Sequence, residues 1–329
     1  MLVRLGLKPF NDYWITCYYN KILTILTSIE PSYKISPYLN DYHYDVQLWG
    51  TAGPDENSTL FNHLCLQPMR MFREQYLQGI FTYQPLHFRD EENCLEILKT
   101  LILQKEIIQV GVDLFYWLPN SMSFGVNHWH HTAVIDGFDD EKKVFYAFDE
   151  DNSGYDAHEI PEERFLSAIK NCNLDPHGDI LKIASPIRPY ILSINDVVSN
   201  AKRLVEELST MKTDPFWLLA DEDFDKSRRR DVIAIHLYQI SNRHKANGIL
   251  FRLKLNEYCD SELINQLVQR SGKLQNGWLI VRSQLLIVYK LKTDRSRKIA
   301  DVNDACKRLF SEEIEMWDTL IENICIDIN

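Results

Sequence analysis

A cysteine, a histidine and an aspartate occur in this chain in an order that supports nucleophilic catalysis. Cys17 opens a run with helical spacing and follows Thr16, a suitable N-cap. The start of a helix is the positive end of its dipole, which favours the thiolate form of a thiol. His131 and Asp149 lie in two β-prone runs on either side of a polar turn. A thiolate, a proton-shuttling histidine and an orienting carboxylate are the parts of a cysteine-enzyme triad.

The two β-prone runs predict a hairpin whose turn is centred near Asp140. Residues that face each other across an antiparallel pair, and those two positions further along, share one face of the sheet. We therefore expect a base and its orienter side by side at the open end of the hairpin. The predicted pairs are His131–Asp149, Ala133–Ala147 and Ile135–Phe145.

Two other histidines compete with His131 for the role of base. His130 is the neighbouring strand residue and points to the opposite face, and His128 belongs to the preceding loop. The three histidines also raise a metal interpretation, because imidazole binds transition metals. Consecutive strand residues point apart, and the chain has neither an HExxH motif nor a matching cysteine pair. The sequence therefore predicts no metal site.

The acidic partner of the histidine also has competitors. Glu150 and Asp151 follow Asp149 directly in an acidic turn. Asp151 shares the face of Asp149 but lies beyond the proposed partner of His131. The proposed pairing therefore predicts Asp149 as the acidic partner of His131.

Composition limits the classes of protein to consider. The chain has 329 residues, 45% of them hydrophobic, and a formal net charge of −11, which argues against a general nucleic-acid or anionic-membrane binder. Its seven cysteines lack CxxC spacing and do not resemble a disulfide framework. No signal peptide or membrane helix is recognisable. We expect a soluble cytoplasmic protein with reduced thiols.

Periodicity predicts an α+β domain over residues 1–185 and an all-α domain over residues 186–329. In the first domain we expect helices from Cys17 to Ile29, over 91–104 and over 161–170, with a buried strand at 107–116. Apolar stripes in the second domain predict a series of short helices. They cover residues 194–208, 229–242, 248–257, 261–270, 277–291, 298–310 and 312–325.

The catalytic residues carry a resemblance to the papain-like fold. An amide residue, Asn11, lies six positions before a cysteine that opens a helix. A His-x-x-x-x-x-Gly-aromatic-Asp strand starts at His131, and the next strand ends in Asp149. Within the papain-like superfamily, this pattern is similar to the bacteriocin-leader peptidases.

The pattern is more similar still to the butirosin-biosynthesis acyltransferase family. Further stretches that carry this likeness are Gly111–Pro119, Asn127–His131 and Asn247–Arg252. The resemblance implies a papain-like cysteine-enzyme domain followed by a helical domain. It implies transfer of an acyl group from the phosphopantetheine thioester of an acyl or peptidyl carrier protein. The acyl group would pass through a cysteine to a small-molecule amine in secondary-metabolite biosynthesis.

The resemblance also implies a role for each residue of the site. Cys17 is the nucleophile, His131 the base and Asp149 the orienter, and the enzyme itself holds no cofactor. Asn11 and the backbone N–H of Cys17 are expected to bind the oxyanion. Asn11 departs from the glutamine that is common at this site in the peptidases, and its shorter amide reaches less far.

Two other functions stay open from the sequence. The same residues would serve a cysteine peptidase or amidohydrolase, and the asparagine at position 11 is compatible with an inactive papain-like binding protein. Oligomeric state is also open, because apolar helical stripes serve a core and a homodimer interface equally well.

Overall fold

The structure is a computed structural model, and it describes residues 1–39, 42–49, 61–68, 79–88, 93–183, 186–213, 227–288, 290–291 and 293–324. The chain divides into two compact units. The first comprises Met1–Lys34 and Phe72–Tyr190, and the second comprises Ile35–Met71 and Ile191–Asn329. The predicted domain boundary at 185/186 lies near the division at 190/191. Residues 35–71, which we assigned to the first domain, belong to the second unit.

Helices and strands alternate irregularly along the described chain. In chain order they are β1 (Leu2–Arg4), α1 (Cys17–Ile29), a 3-10 helix (Pro31–Leu39), β2 (Tyr42–Trp49), β3 (Phe61–Pro68), β4 (Phe81–Leu86), α2 (Cys94–Leu103), β5 (Ile107–Asp113), β6 (His130–Asp139), β7 (Val144–Asp151), β8 (Gly154–Pro161), α3 (Glu162–Lys170), β9 (Gly178–Ile183), α4 (Ile194–Thr213), α5 (Ser227–Lys254), a 3-10 turn (Leu255–Glu257), α6 (Ser261–Val288) and α7 (Arg295–Asn323).

The first unit is built on a seven-stranded antiparallel sheet with the order β4-β9-β5-β6-β7-β8, and β1 pairs with β6. One face of the sheet packs against α1 through Ile22, Ile25, Leu26, Val134 and Phe148. The other face packs against α2 and α3 through residues such as Leu98, Val110, Ala147 and Phe165. Mixed helices and antiparallel strands confirm the α+β class.

Helix α1 begins at Cys17 and ends at Ile29, as the sequence predicts. The Thr16 side chain accepts a hydrogen bond from the backbone N–H of Tyr19 at 3.0 Å, which caps the first turn. At the other end, Glu30 is extended and precedes Pro31, a residue that disfavours helical backbone before it. Local sequence therefore fixes the cysteine at the first helical position.

The hairpin of β6 and β7 forms, but its register differs from the predicted one. Ile135 lies opposite Ala147, two residues from the predicted partner, so the predicted pairs were wrong. A bulge interrupts the ladder between Ile135 and Gly137. Without this extra residue, the register of the turn would place Asp149 opposite Val134 and on the face away from His131. The bulge therefore restores the shared face of His131 and Asp149.

The N-terminal segment holds the bulge in place. Asp136 is fully buried, and its carboxylate accepts hydrogen bonds from Arg4 Nε at 2.5 Å and from the backbone N–H of Leu7 at 2.9 Å. Its carbonyl oxygen accepts the N–H of Leu5 at 2.6 Å. Next to it, a Cβ on Gly137 would lie 2.1 Å from the carbonyl oxygen of Val3, so only glycine allows β1 this close.

The second unit contains the helices α4 to α7 together with a two-stranded sheet of β2 and β3. The described elements within residues 186–329 are helices, as expected, and the two strands of this unit come from residues 35–71, which were predicted to lie in the first domain. A buried carboxylate lies inside it: Glu313 accepts hydrogen bonds from the Tyr44 hydroxyl at 2.6 Å and from Trp317 Nε1 at 3.1 Å. None of the described helices is long and apolar enough to cross a membrane.

We expect Asp136→Ala to lower the free energy of unfolding by about 2–4 kcal/mol, because it deprives Leu7 of an acceptor and Arg4 of its buried partner. The lower part of this range takes account of solvent screening of the Arg4–Asp136 ion pair, since the Arg4 side chain is 36% exposed. Chemical denaturation followed by circular dichroism measures the change. Asp156→Ala, on the exposed side of β8, is the matched control and should stay within about 0.5 kcal/mol of wild type. Equal losses in the two variants would contradict the role given to Asp136.

Candidate active site

The structure brings Cys17, His131 and Asp149 together at the open end of the hairpin. His131 Nε2 lies 2.6 Å from Asp149 Oδ2. The Cys17 side chain lies within hydrogen-bonding reach of His131, and Nδ1 is the ring nitrogen left for it because Nε2 faces Asp149. Cys17 is half-buried at the start of α1. A thiol, an imidazole and a carboxylate in this sequence of contacts can generate and stabilise a thiolate.

Asp149 is held by donors on both of its carboxylate oxygens. Oδ2 also accepts a hydrogen bond from Nε1 of the fully buried Trp117 at 2.6 Å, and Oδ1 accepts the backbone N–H of Glu150 at 2.9 Å. Burial alone would raise the pKa of Asp149, but the charge and hydrogen bond of His131 hold it below its ordinary value, with help from Lys21. Asp149 is therefore an oriented carboxylate at neutral pH.

The ionisation of His131 is set by its two partners. Burial alone would lower the pKa of His131, but the charge and hydrogen bond of Asp149 and the hydrogen bond of Cys17 raise it to about 9. The protonated ring is thus the stable form at neutral pH. Because this pKa lies above the ordinary 6.5, protonation of His131 stabilises the folded chain below pH 6.5. That contribution is lost as the pH rises through about 9.

Lys21 links the helix of the nucleophile to the strand of the base. It lies one helical turn after Cys17 and is 4% exposed. Its ammonium group donates to the carbonyl oxygen of Thr132 and, at 2.6 Å, to the Thr132 hydroxyl. Burial lowers the pKa of Lys21, and the nearby charges of Asp149 and Cys17 partly oppose this. The contact fixes α1 against β6 at the residue that follows His131.

A second carboxyl group reaches the thiol. The Glu150 carboxyl group lies within hydrogen-bonding reach of Cys17, and Trp14 Nε1 donates to its Oε2. Burial raises the pKa of Glu150 to about 7 despite the Trp14 bond. Glu150 and Asp149 are consecutive, and both lie beyond Val134 and Phe148, the last pair of the β6–β7 ladder at this end. Both the imidazole of His131 and the carboxyl group of Glu150 therefore interact with Cys17.

Asn11, the predicted oxyanion donor, lies on the irregular segment before α1 and is exposed. That segment is held by Asn20 of α1, whose Nδ2 donates to the carbonyl oxygens of Phe10 and Tyr13 at 3.0 Å each. Asn20 Oδ1 accepts the N–H of Ile15 at 2.8 Å. The oxyanion role of Asn11 stays a prediction.

The competing residues have other partners. His128 stacks on Phe115 with 4.3 Å between ring centroids, and its Nδ1 lies 2.7 Å from Asp113 Oδ2. Asp151 accepts a hydrogen bond from Asn120 Nδ2 at 3.1 Å. His130 lies opposite Asp113 in the β5–β6 ladder. His131 and Asp149 are thus the histidine and aspartate that the described contacts join to Cys17.

Four positioning residues escaped the sequence analysis: Trp14, Asn20, Lys21 and Trp117. Lys21 follows Cys17 by four residues, a spacing that places both on one face of a helix, so it could have been found. Trp117 belongs to a stretch that carried the family resemblance, but its partner Asp149 is 32 residues away. Only the folded sheet brings these two together.

No protein-family model matches the chain, and comparison with curated proteins finds no significant relative. Function must therefore be inferred from the side chains of the site and from the motifs around it.

We predict that the imidazole of His131 titrates with a midpoint near pH 9, measured by nuclear magnetic resonance of ring nitrogens in labelled protein. Asp149→Asn should move the midpoint back towards the ordinary value, because it removes the adjacent negative charge. Asp151→Asn is the matched control on the same strand and should leave the midpoint in place. A wild-type midpoint at or below 6.5 would rule out the proposed pairing.

Proposed function

We propose that this protein is a papain-like cysteine acyltransferase. It takes an acyl group from a carrier-protein thioester and passes it to a small-molecule amine. The observation that carries the proposal is the chain of contacts from Cys17 to His131 to the buried Asp149. The papain-like identity of the first unit belongs to the same proposal. It is supported by a nucleophile at the start of a helix that packs on a sheet carrying base and orienter.

The first half of the reaction exchanges one thioester for another. The Cys17 thiolate attacks the thioester carbonyl carbon, so that a bond to Sγ forms and the bond to the pantetheine sulfur breaks. The departing thiolate takes the proton held by His131. Thioester exchange is nearly isoenergetic, so the acyl group stays activated on the enzyme. Asp149 keeps the ring oriented throughout and stabilises its charged form.

The second half requires an amine to attack the acyl-cysteine. A bond from nitrogen to the acyl carbon forms, the bond to Cys17 Sγ breaks, and the nitrogen gives up a proton to His131. Glu150 is the group we assign to the acceptor side, because its carboxyl lies at the thiol and is held by Trp14. With a pKa of about 7, it is ionised in part at neutral pH and can attract an ammonium group or accept its proton.

Transfer rather than hydrolysis is favoured by the three stretches that resemble the butirosin-biosynthesis acyltransferases. The proposal includes an acyl or peptidyl carrier protein as donor partner and a cytoplasmic biosynthetic role. A peptidase or amidohydrolase would use the same acyl-enzyme but discharge it to water. An inactive binding protein would form no acyl-enzyme.

We expect wild-type protein incubated with acyl-pantetheine thioesters to gain the mass of one acyl group, detected by intact-protein mass spectrometry. Cys17→Ala should abolish the gain, because the thiolate is the acceptor. Cys172→Ala, which removes another half-buried free cysteine, should keep it. Discharge on addition of an amine supports transfer, whereas discharge at the same rate without amine supports hydrolysis. A wild-type protein that never gains the mass contradicts both enzymatic functions.

We expect Glu150→Gln to keep acyl uptake but to slow discharge by an amine by roughly 100-fold, the lower end of a general acid-base contribution. Single-turnover mass spectrometry separates the two steps. Asp151→Asn, whose carboxylate binds Asn120 and the N–H of Ser153, is the control and should discharge at the wild-type rate. If Glu150→Gln slows uptake and discharge equally, Glu150 serves the nucleophile and not the acceptor.

A further inference from the structure

We propose that His87, Asp175 and His177 form a binding site for a divalent transition-metal ion such as Zn²⁺. They belong to the first unit and lie outside the Cys17–His131–Asp149 site. One ligand atom of each residue lies within 4.8 Å of the other two. Within the described part of the chain, this is the one group of three or more His, Cys, Asp and Glu residues with such spacing.

The two histidines are brought together by strand pairing. In the β4–β9 ladder, Leu86 lies opposite Gly178. One step further out, the same register places His87 opposite His177. Opposed side chains of an antiparallel pair project to the same side with their Cβ atoms about 5 Å apart. The two rings meet edge to face with 6.2 Å between centroids, a spacing that one ion can bridge.

Asp175 supplies a carboxylate from the loop that leads into β9. Its Oδ1 lies 3.2 Å from Nδ1 of His87. Ligand atoms around one tetrahedral zinc ion lie about 3.3 Å apart, as follows from metal–ligand bonds of about 2.0 Å. The His87–Asp175 distance already has this value, and a small movement of the His177 ring would complete the set.

The ring of His177 packs against a neighbouring side chain, but its Nδ1 makes only a weak hydrogen bond. It packs against Phe88 with 5.4 Å between centroids, and its Nδ1 lies 3.4 Å from the backbone N–H of Phe88. That distance is longer than an ordinary hydrogen bond, so a metal ion can replace the contact at little cost. The side chains of His87 and Asp175 are 57% and 82% exposed, so an ion from solution can enter and keep water as a further ligand.

The donor set selects the kind of ion. Two imidazoles and one carboxylate suit Zn²⁺, Ni²⁺ and Cu²⁺, whereas Mg²⁺ and Ca²⁺ prefer oxygen ligands alone. A bound ion would join the end of β4 to the loop before β9, which makes the site a clamp on the edge of the sheet. The sequence alone does not indicate this site, because His87 and His177 are 90 residues apart and only strand pairing brings them together.

Isothermal titration of the full-length, chelator-treated protein with ZnCl₂ and MgCl₂ tests this site. We expect one Zn²⁺ per chain and no Mg²⁺ binding. His87→Ala and Asp175→Asn should weaken Zn²⁺ binding by more than about tenfold, since even the loss of an outer partner of a ligand costs about 10–100-fold. His128→Ala is the matched control, because it removes a histidine from another His–Asp pair. It should bind Zn²⁺ as wild type does.

Thermal unfolding with and without Zn²⁺ provides a second readout that does not depend on activity. The melting temperature of wild type and of His128→Ala should rise with Zn²⁺, and that of His87→Ala should not. The same titration in Cys17→Ala separates this site from the catalytic thiol. If Zn²⁺ binding survives His87→Ala and disappears in Cys17→Ala, the ion occupies the Cys17–His131 pair and the proposal is overturned. Absence of saturable binding in wild type overturns it as well.

Discussion

The bulge at Asp136 is the constraint on which the site depends. Side chains of a strand alternate between faces, so one extra residue decides whether His131 and Asp149 meet or point apart. The extra residue is stable only because Arg4, Leu5 and Leu7 satisfy its polar groups. The first residues of the chain, far in sequence from His131 and Asp149, therefore set the geometry of this pair. Bulges often have this function of redirecting side chains near active sites.

Around this frame, the buried charges of the site are arranged with opposite signs next to each other. The imidazolium of His131 lies between the carboxylate of Asp149 and the thiol of Cys17, and Lys21 adds a positive charge on the side of α1. Removing one member would leave the others buried without compensation, which is costly in a low-dielectric interior. Glu150 is ionised only in part at neutral pH, because its pKa is about 7, and this suits a residue that exchanges a proton.

Features of the fold that depend on neighbouring residues could be predicted from the sequence. Features that depend on contacts between distant parts of the chain could not. The cap at Thr16 fixes the start of α1. The pairing predicted for β6 and β7 correctly places His131 and Asp149 on one face of the sheet. The exact pairs failed because the turn, closed by Asp139 and Val144, lies further along the chain than a turn centred on Asp140, and the bulge offsets only part of that displacement. In the second unit, predicted breaks near residues 247, 272 and 311 are absent, and α5, α6 and α7 run through them. Inside α6, Gly277 allows close packing against α7, because a Cβ there would lie 2.4 Å from Leu309 Cδ2.

The most direct test of the account is the rate at which each cysteine is alkylated at neutral pH, mapped by peptide mass spectrometry. Cys17 should react well before Cys172 and Cys259, two other half-buried free thiols whose pKa values are raised by burial. His131→Ala and Asp149→Asn should remove that advantage, because both break the contacts that activate the thiol. If Cys17 in the wild-type protein reacts no faster than Cys172 and Cys259, the three residues do not act together and the proposed chemistry fails.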